Sequence, residues 1–176
     1  MSTCFLGGSR AIADDTLNIL FAGEANAARS IIAEALLRRL GGEAFRAFSA
    51  GRNPALNIHG HTLETLKQAG YVTDNLYPKS WQEFVRPTAP ALHVVVTMDE
   101  ALKRGPFPIW FSDPVYVHWP YPDPQAVAEG DMERRGAYRR LYGDLEQQIL
   151  KLTGMNLKGL SPYALKDRLD AIAPKL

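Results

Sequence analysis

The first sustained apolar run along the chain is LNILFA, residues 17–22, interrupted only by Asn18. A run this short and this continuous predicts a strand buried on both faces. AFRAFSAG (44–51) predicts a second strand, closed by Gly51, and LHVVVTM (92–98) is the clearest buried strand of all. The segment 106–124 is rich in proline and aromatics and can supply at most a short fourth strand, VYVHW (115–119). Between these runs the pattern turns helical. RSIIAEALLRRL (29–40) puts Ile32, Ala33, Leu36, Leu37 and Leu40 on one stripe and stops at Gly41-Gly42. HGHTLETLKQAG (59–70) predicts a second helix with a glycine stop, and KSWQEFV (79–85) a short third. DEALKRG (99–105) reads as a turn or short helix. A long helix over 132–154 carries Tyr138, Leu141, Leu145 and Ile149 near helical spacing, and SPYALKDRLDAI (161–172) predicts the last helix. Alternating strand and helix predict an α/β fold: a parallel sheet with helices on both faces and a site at the carboxyl ends of its strands.

Composition narrows this picture. The 176 residues suffice for one compact domain, over 17–176, behind a polar N-terminal tail at 1–16. Lys+Arg of 20 against Asp+Glu of 19 gives a net charge of +1, which provides no global attraction to nucleic acid or an anionic membrane. The one cysteine, Cys4, lies in the tail and excludes an internal disulfide. With no secretory pattern at the start and no membrane-length apolar run, the expected location is the cytoplasm. His59 and His61 lack a third ligand nearby in sequence, so no metal is expected, and no cofactor.

The loop after the first strand, Gly23 to Ser30, is where chemistry is expected. Its small residues let successive backbone N–H groups converge on one point, and the following helix adds its own free N–H groups and positive dipole end. Asn26 tolerates positive φ, and Arg29 offers a planar fork suited to a tetrahedral oxyanion. The anion-binding candidates are Gly23, Glu24, Ala25, Asn26, Ala27, Ala28, Arg29 and Ser30.

This loop resembles the Cys-x5-Arg-Ser loop of the low-molecular-weight protein tyrosine phosphatases and their thioredoxin-coupled arsenate reductase relatives. The likeness continues in order through SAG (49–51), KSWQEF (79–84), VVVTMDEA (94–101), VHWPYPDP (117–124) and LKDRLDAI (165–172). It implies a three-layer sandwich around a four-stranded parallel sheet. It also implies that Gly23 stands where the family has its nucleophilic cysteine. Glu24, Ala25 and Ala27 depart from the pattern too, the last at a place where many members carry a supporting hydroxyl. The further redox cysteines of the arsenate reductase branch have Met98 and Gly105 as their nearest matches. Asp123, before Pro124, matches the family's general acid, although a turn aspartate before proline is the simpler reading.

Three functions compete. The first is a catalytically inactive relative that binds phosphate, arsenate or a phosphorylated ligand in the retained loop. The second is an interaction module in which the aromatic loop 107–121, with Trp110, Phe111, Tyr116, Trp119 and Tyr121, meets a protein partner or another copy. The third is an enzyme using Glu24 and Asp123 as acid and base. Glu24 bears on all three: aimed inward it would repel an anion or pair with Arg29, and aimed outward it would leave the cradle intact. His118 and Trp119 precede Asp123 and read either as a site wall or as a partly buried strand end. The basic stretches LLRRL and ERRGAYRRLY read as solvated helix faces.

Overall fold

A computed structural model describes residues 16–127 and 129–175. Its strands are β1 (Leu17–Gly23), β2 (Phe45–Gly51), β3 (Val94–Thr97) and β4 (Val115–His118); its α-helices are α1 (Arg29–Leu40), α2 (Gly60–Gln68), α3 (Asp131–Thr153) and α4 (Pro162–Ala171). All strand pairs are parallel, in the order β2-β1-β3-β4. β1 is therefore an inner strand, and all seven of its residues are buried. This accounts for its near-continuous apolar sequence.

Side chains alternate across the sheet. Ile19, Phe21, Val94, Val96 and Val117 join one apolar cluster with α1, Leu66 of α2, Tyr138 through Leu152 of α3, and Leu165 and Leu169 of α4. Leu20, Ala22, Ala50 and Val95 face the other way, into a smaller cluster with Trp81, Phe84, Leu92, Leu102 and Trp110. The two faces differ from the expectation of α-helices on both. The second face is covered by 3-10 turns at Trp81–Val85 and Glu100–Leu102 and by the segment between them and β4. Proline explains the difference: Pro87, Pro90, Pro106 and Pro108 lie in this covering layer, and each withholds an N–H that a longer helix would need. At Trp81–Val85, Ser80 caps the turn by accepting from the Gln82 N–H, as a helix N-cap would, but the chain leaves after five residues.

The aromatic loop is largely structural. Trp110, Trp119 and Tyr121 are buried, Tyr116 is half-buried, and of the large apolar side chains only Phe111 (72% exposed) and Ile109 (93%) stand out in solvent. Trp119 donates its indole N–H to the Leu169 carbonyl at 3.3 Å, and Lys166 Nζ reaches the Tyr116 carbonyl at 3.0 Å. These bonds fasten α4 along β4. Of the expected tail, Thr16 belongs to the fold, since its hydroxyl donates to the Glu43 carbonyl at 3.0 Å; residues 1–15, with Cys4, lie outside the described residues. Among the described residues no helix is long and apolar enough to cross a membrane.

Candidate functional site

The loop between β1 and α1 is braced from behind by backbone. The carbonyls of Gly23, Glu24, Ala25 and Ala27 accept from the N–H groups of Arg52, Asn53, Ala55 and His59 at 3.1, 2.9, 2.8 and 3.1 Å. In a trans peptide the N–H lies opposite the C=O, so carbonyls held outward turn the following N–H groups inward. The Glu24 N–H is one of these, and it donates inward. Gly51 makes the close approach feasible: a Cβ there would lie 2.8 Å from the Glu24 carbonyl oxygen.

Asn26 fixes the curvature. It is the one non-glycine residue with positive φ among the described residues, at 49°, a conformation asparagine adopts at low cost. Its Nδ2 donates to Ser30 Oγ at 2.9 Å and Ser49 Oγ at 2.8 Å, and its Oδ1 accepts from the Lys79 N–H at 2.7 Å. Ser49 passes the chain on by donating to Glu34 Oε2 at 2.5 Å. Glu34 is fully buried on α1, and its charge is met by Lys79 Nζ at 3.1 Å and Arg38 Nη2 at 2.5 Å. A buried carboxylate needs such partners to offset the loss of water around it. Asn26, Ser30, Ser49, Glu34 and Lys79 thus form one polar network under the loop.

Arg29, the first residue of α1, folds over the mouth. Its Nη1 donates to the Tyr121 carbonyl at 2.9 Å. Its Nη2 pairs closely with Asp99 Oδ1 and lies 3.9 Å from Asp123 Oδ2. Asp99 Oδ2 accepts from the Glu24 N–H at 2.8 Å. A Cβ built on Gly23 would lie 3.2 Å from that same oxygen and 3.2 Å from Ser30 Oγ. The space of the missing side chain is therefore faced by a carboxylate and a hydroxyl.

The candidates read from the sequence line one loop, with the Glu24 carboxylate turned away from its interior. That carboxylate accepts from Asn53 Nδ2 at 2.6 Å and lies 2.8 Å from Arg52 Nη2. The outward alternative holds because residues 52 and 53 supply a cation and an amide on that side. Ala25, Ala27 and Ala28 contribute backbone alone. Asp123 caps its own turn, as the simpler reading expects, by accepting from the Gln125 N–H at 2.9 Å, and its Oδ2 lies 3.9 Å from Arg29 Nη2. The ring nitrogens of His118 meet Thr97 Oγ1 at 2.8 Å and Glu100 Oε2 at 3.1 Å. Asp99 is the residue the sequence reading passed over. The signal was present, since it stands one residue beyond Met98 at the carboxyl end of a buried strand, where a site is expected.

His59 and Tyr138 complete the rim, with His59 Nδ1 2.9 Å from the Tyr138 hydroxyl. Burial holds the His59 imidazole below its ordinary 6.5; the Asp123 carboxylate pulls the other way and only partly offsets it. The sign follows from linkage. Well above pH 6.5 neither state carries the proton and the effect vanishes. As pH falls through 6.5 the unfolded chain takes up its proton first, so stability drops until the lower folded value is passed. His59→Gln is expected to flatten the fall in Tm between about pH 7 and about pH 5. Parallel curves for the two proteins would assign the acid sensitivity elsewhere. His61 is engaged separately, with Asp131 at 3.3 Å and Glu64 at 3.6 Å. Among the described residues no group of three His, Cys, Asp or Glu side chains is arranged to hold a metal ion.

The comparisons with known proteins agree with this fold. The family model described as "Low molecular weight phosphotyrosine protein phosphatase" matches residues 18–159, and the chain belongs to that family. Among solved structures, an arsenate reductase from Archaeoglobus fulgidus is similar at 26% identity and TM-score 0.59, over 78% of this chain and 99% of that one. The Corynebacterium glutamicum thioredoxin-dependent arsenate reductase Cg_ArsC1' is similar at 24% identity and TM-score 0.56, over 80% of this chain. The match spans only 62% of that reductase's length. The tyrosine phosphatase Wzb from Escherichia coli K30 is similar at 18% identity and TM-score 0.54, over 77% of this chain and 95% of that one. No curated protein matches.

Proposed function

We propose that this chain is a catalytically silent member of its family that binds a tetrahedral oxyanion, as phosphate, arsenate or a phosphoryl group on a larger ligand, in the loop Gly23–Ser30. The observation that carries the reading is the combination at the loop itself. Its carbonyls are tied outward and Arg29 lies across its mouth, while position 23 has no side chain to attack phosphorus. An arginine and inward amides are what an oxyanion needs. A covalent phosphoryl intermediate needs a nucleophile as well. Wzb, on the same fold, was solved with sulphate, a tetrahedral anion. Glu24 is poorly placed for the alternative enzyme, since Arg52 and Asn53 hold its carboxylate on the outer side of the loop.

The test is calorimetric titration of the purified protein with phosphate and then arsenate, beside assays of p-nitrophenyl phosphate hydrolysis and arsenate reduction. Saturable binding at millimolar affinity or tighter is expected, lost in Arg29→Ala, with no turnover above that variant's background. Turnover that disappears with Arg29→Ala would sink the silent-member reading.

A further inference from the structure

Asp99 follows β3 and opens the turn Glu100–Leu102, yet its side chain reaches back across the sheet edge to the loop after β1. Both of its oxygens are spent on groups that an oxyanion would use. Oδ1 takes the Arg29 guanidinium, and Oδ2 takes the Glu24 N–H, the first inward amide of the loop. The same Oδ2 faces the room left by the absent side chain at Gly23. The side chains of Arg29 and Asp99 are each only 15% exposed, so this is no loose surface pair. A carboxylate is a planar anion with two acceptor oxygens, and on an arginine fork it makes the same paired contacts as one edge of a phosphate.

We infer that Asp99 is the cradle's internal ligand: its carboxylate occupies the anion site, and an external oxyanion binds only by displacing it. This rests on the oxyanion site proposed above and adds the residue that sets its affinity and charge preference. Two anions cannot share Arg29 at close range without repulsion, because little water lies between them to screen it. A bound phosphate must therefore either push Asp99 out or accept a weakened hold. Asp99 stands on a short turn whose next residue, Glu100, is exposed and contacts His118 Nε2 at 3.1 Å and Lys103 Nζ at 3.2 Å.

The opposing account makes Asp99 a positioning residue that orients Arg29 toward an incoming anion, and the two accounts predict opposite signs. Asp99→Asn removes the charge and keeps the shape; Asp99→Ser removes the reach and gives a second chance should the first variant fold poorly. Titrated with inorganic phosphate at neutral pH, both variants are expected to bind at least ten-fold more tightly than the wild type, and Arg29→Ala in either background to abolish the gain. Equal or weaker binding in variants that melt cooperatively would overturn the internal ligand and leave the oxyanion site standing. Absence of binding in the wild type and in both folded variants would overturn the two readings together. A measurement on the unaltered protein guards against misfolded variants. On phosphate titration the Glu24 amide resonance and the Asp99 carboxyl carbon resonance are expected to shift together. A shift at Glu24 with Asp99 unmoved would refute displacement.

Discussion

Gly23→Cys is expected to give a protein that takes a phosphoryl group from p-nitrophenyl phosphate and holds it on sulfur. A Cβ at this position would lie 3.2 Å from Ser30 Oγ, so the new thiol meets a hydroxyl donor at the start of α1 with Arg29 across the mouth. A helix start and an arginine both favour the thiolate. Asp99 works against it, because a carboxylate in contact raises the pKa of a thiol. The gain over the wild type should therefore be about 10²–10³-fold, well short of what loss of a catalytic nucleophile removes from a complete site. Adding Asp99→Asn should raise it further. Intact-mass measurement during turnover would register the phosphoryl adduct. If neither Gly23→Cys nor the double variant forms one while both remain folded, the loop does not present phosphorus to position 23.

The largest expected loss of stability comes from the network beneath the loop. Lys79→Met strips Glu34 of a partner 3.1 Å away while the carboxylate stays fully buried. Breaking a buried ion pair from one side costs about 3–5 kcal/mol because it strands the remaining charge. Arg38 still reaches Glu34 Oε1 from the partly exposed end, which places the expected loss near the lower value, about 3 kcal/mol. Urea denaturation with an unchanged m-value would measure it. A loss below about 1 kcal/mol, the worth of an exposed pair, would mean that Arg38 alone neutralises Glu34.

The fold was legible in the sequence where a local pattern carried it. The unbroken apolar run at 17–22 located the inner strand, and the stripe from Ile32 to Leu40 located the helix that follows, so the loop between them was delimited by its neighbours. Asn26 was legible as the residue able to turn the chain. What escaped was decided by partners distant in sequence. The direction of Glu24 depends on Arg52 and Asn53, which reach it only once β2 lies beside β1. Asp99 meets Arg29 only because β3 lies on the other side of β1. The helix expected over 79–85 is a 3-10 turn over Trp81–Val85, because Pro87 and Pro90 withhold N–H groups just beyond a segment whose own pattern does not register them. In the aromatic loop, Trp110 packs edge-on against Trp81 and its neighbour Phe111 points to solvent, a division that irregular backbone makes and no periodicity announces.

Four carbonyls of the loop after β1 are held by the N–H groups of residues 52, 53, 55 and 59, and a peptide N–H is the same for every residue except proline. The curve of the loop is thus specified largely by main chain, with Asn26 and Gly51 as the positions where side-chain identity matters. Position 23 is exempt. A lineage can lose the reacting atom there in a single step without disturbing the main chain around it, whereas a side chain regained there must be accommodated by Asp99 and Ser30, each 3.2 Å from its Cβ. In a protein built this way, chemistry and shape are inherited separately.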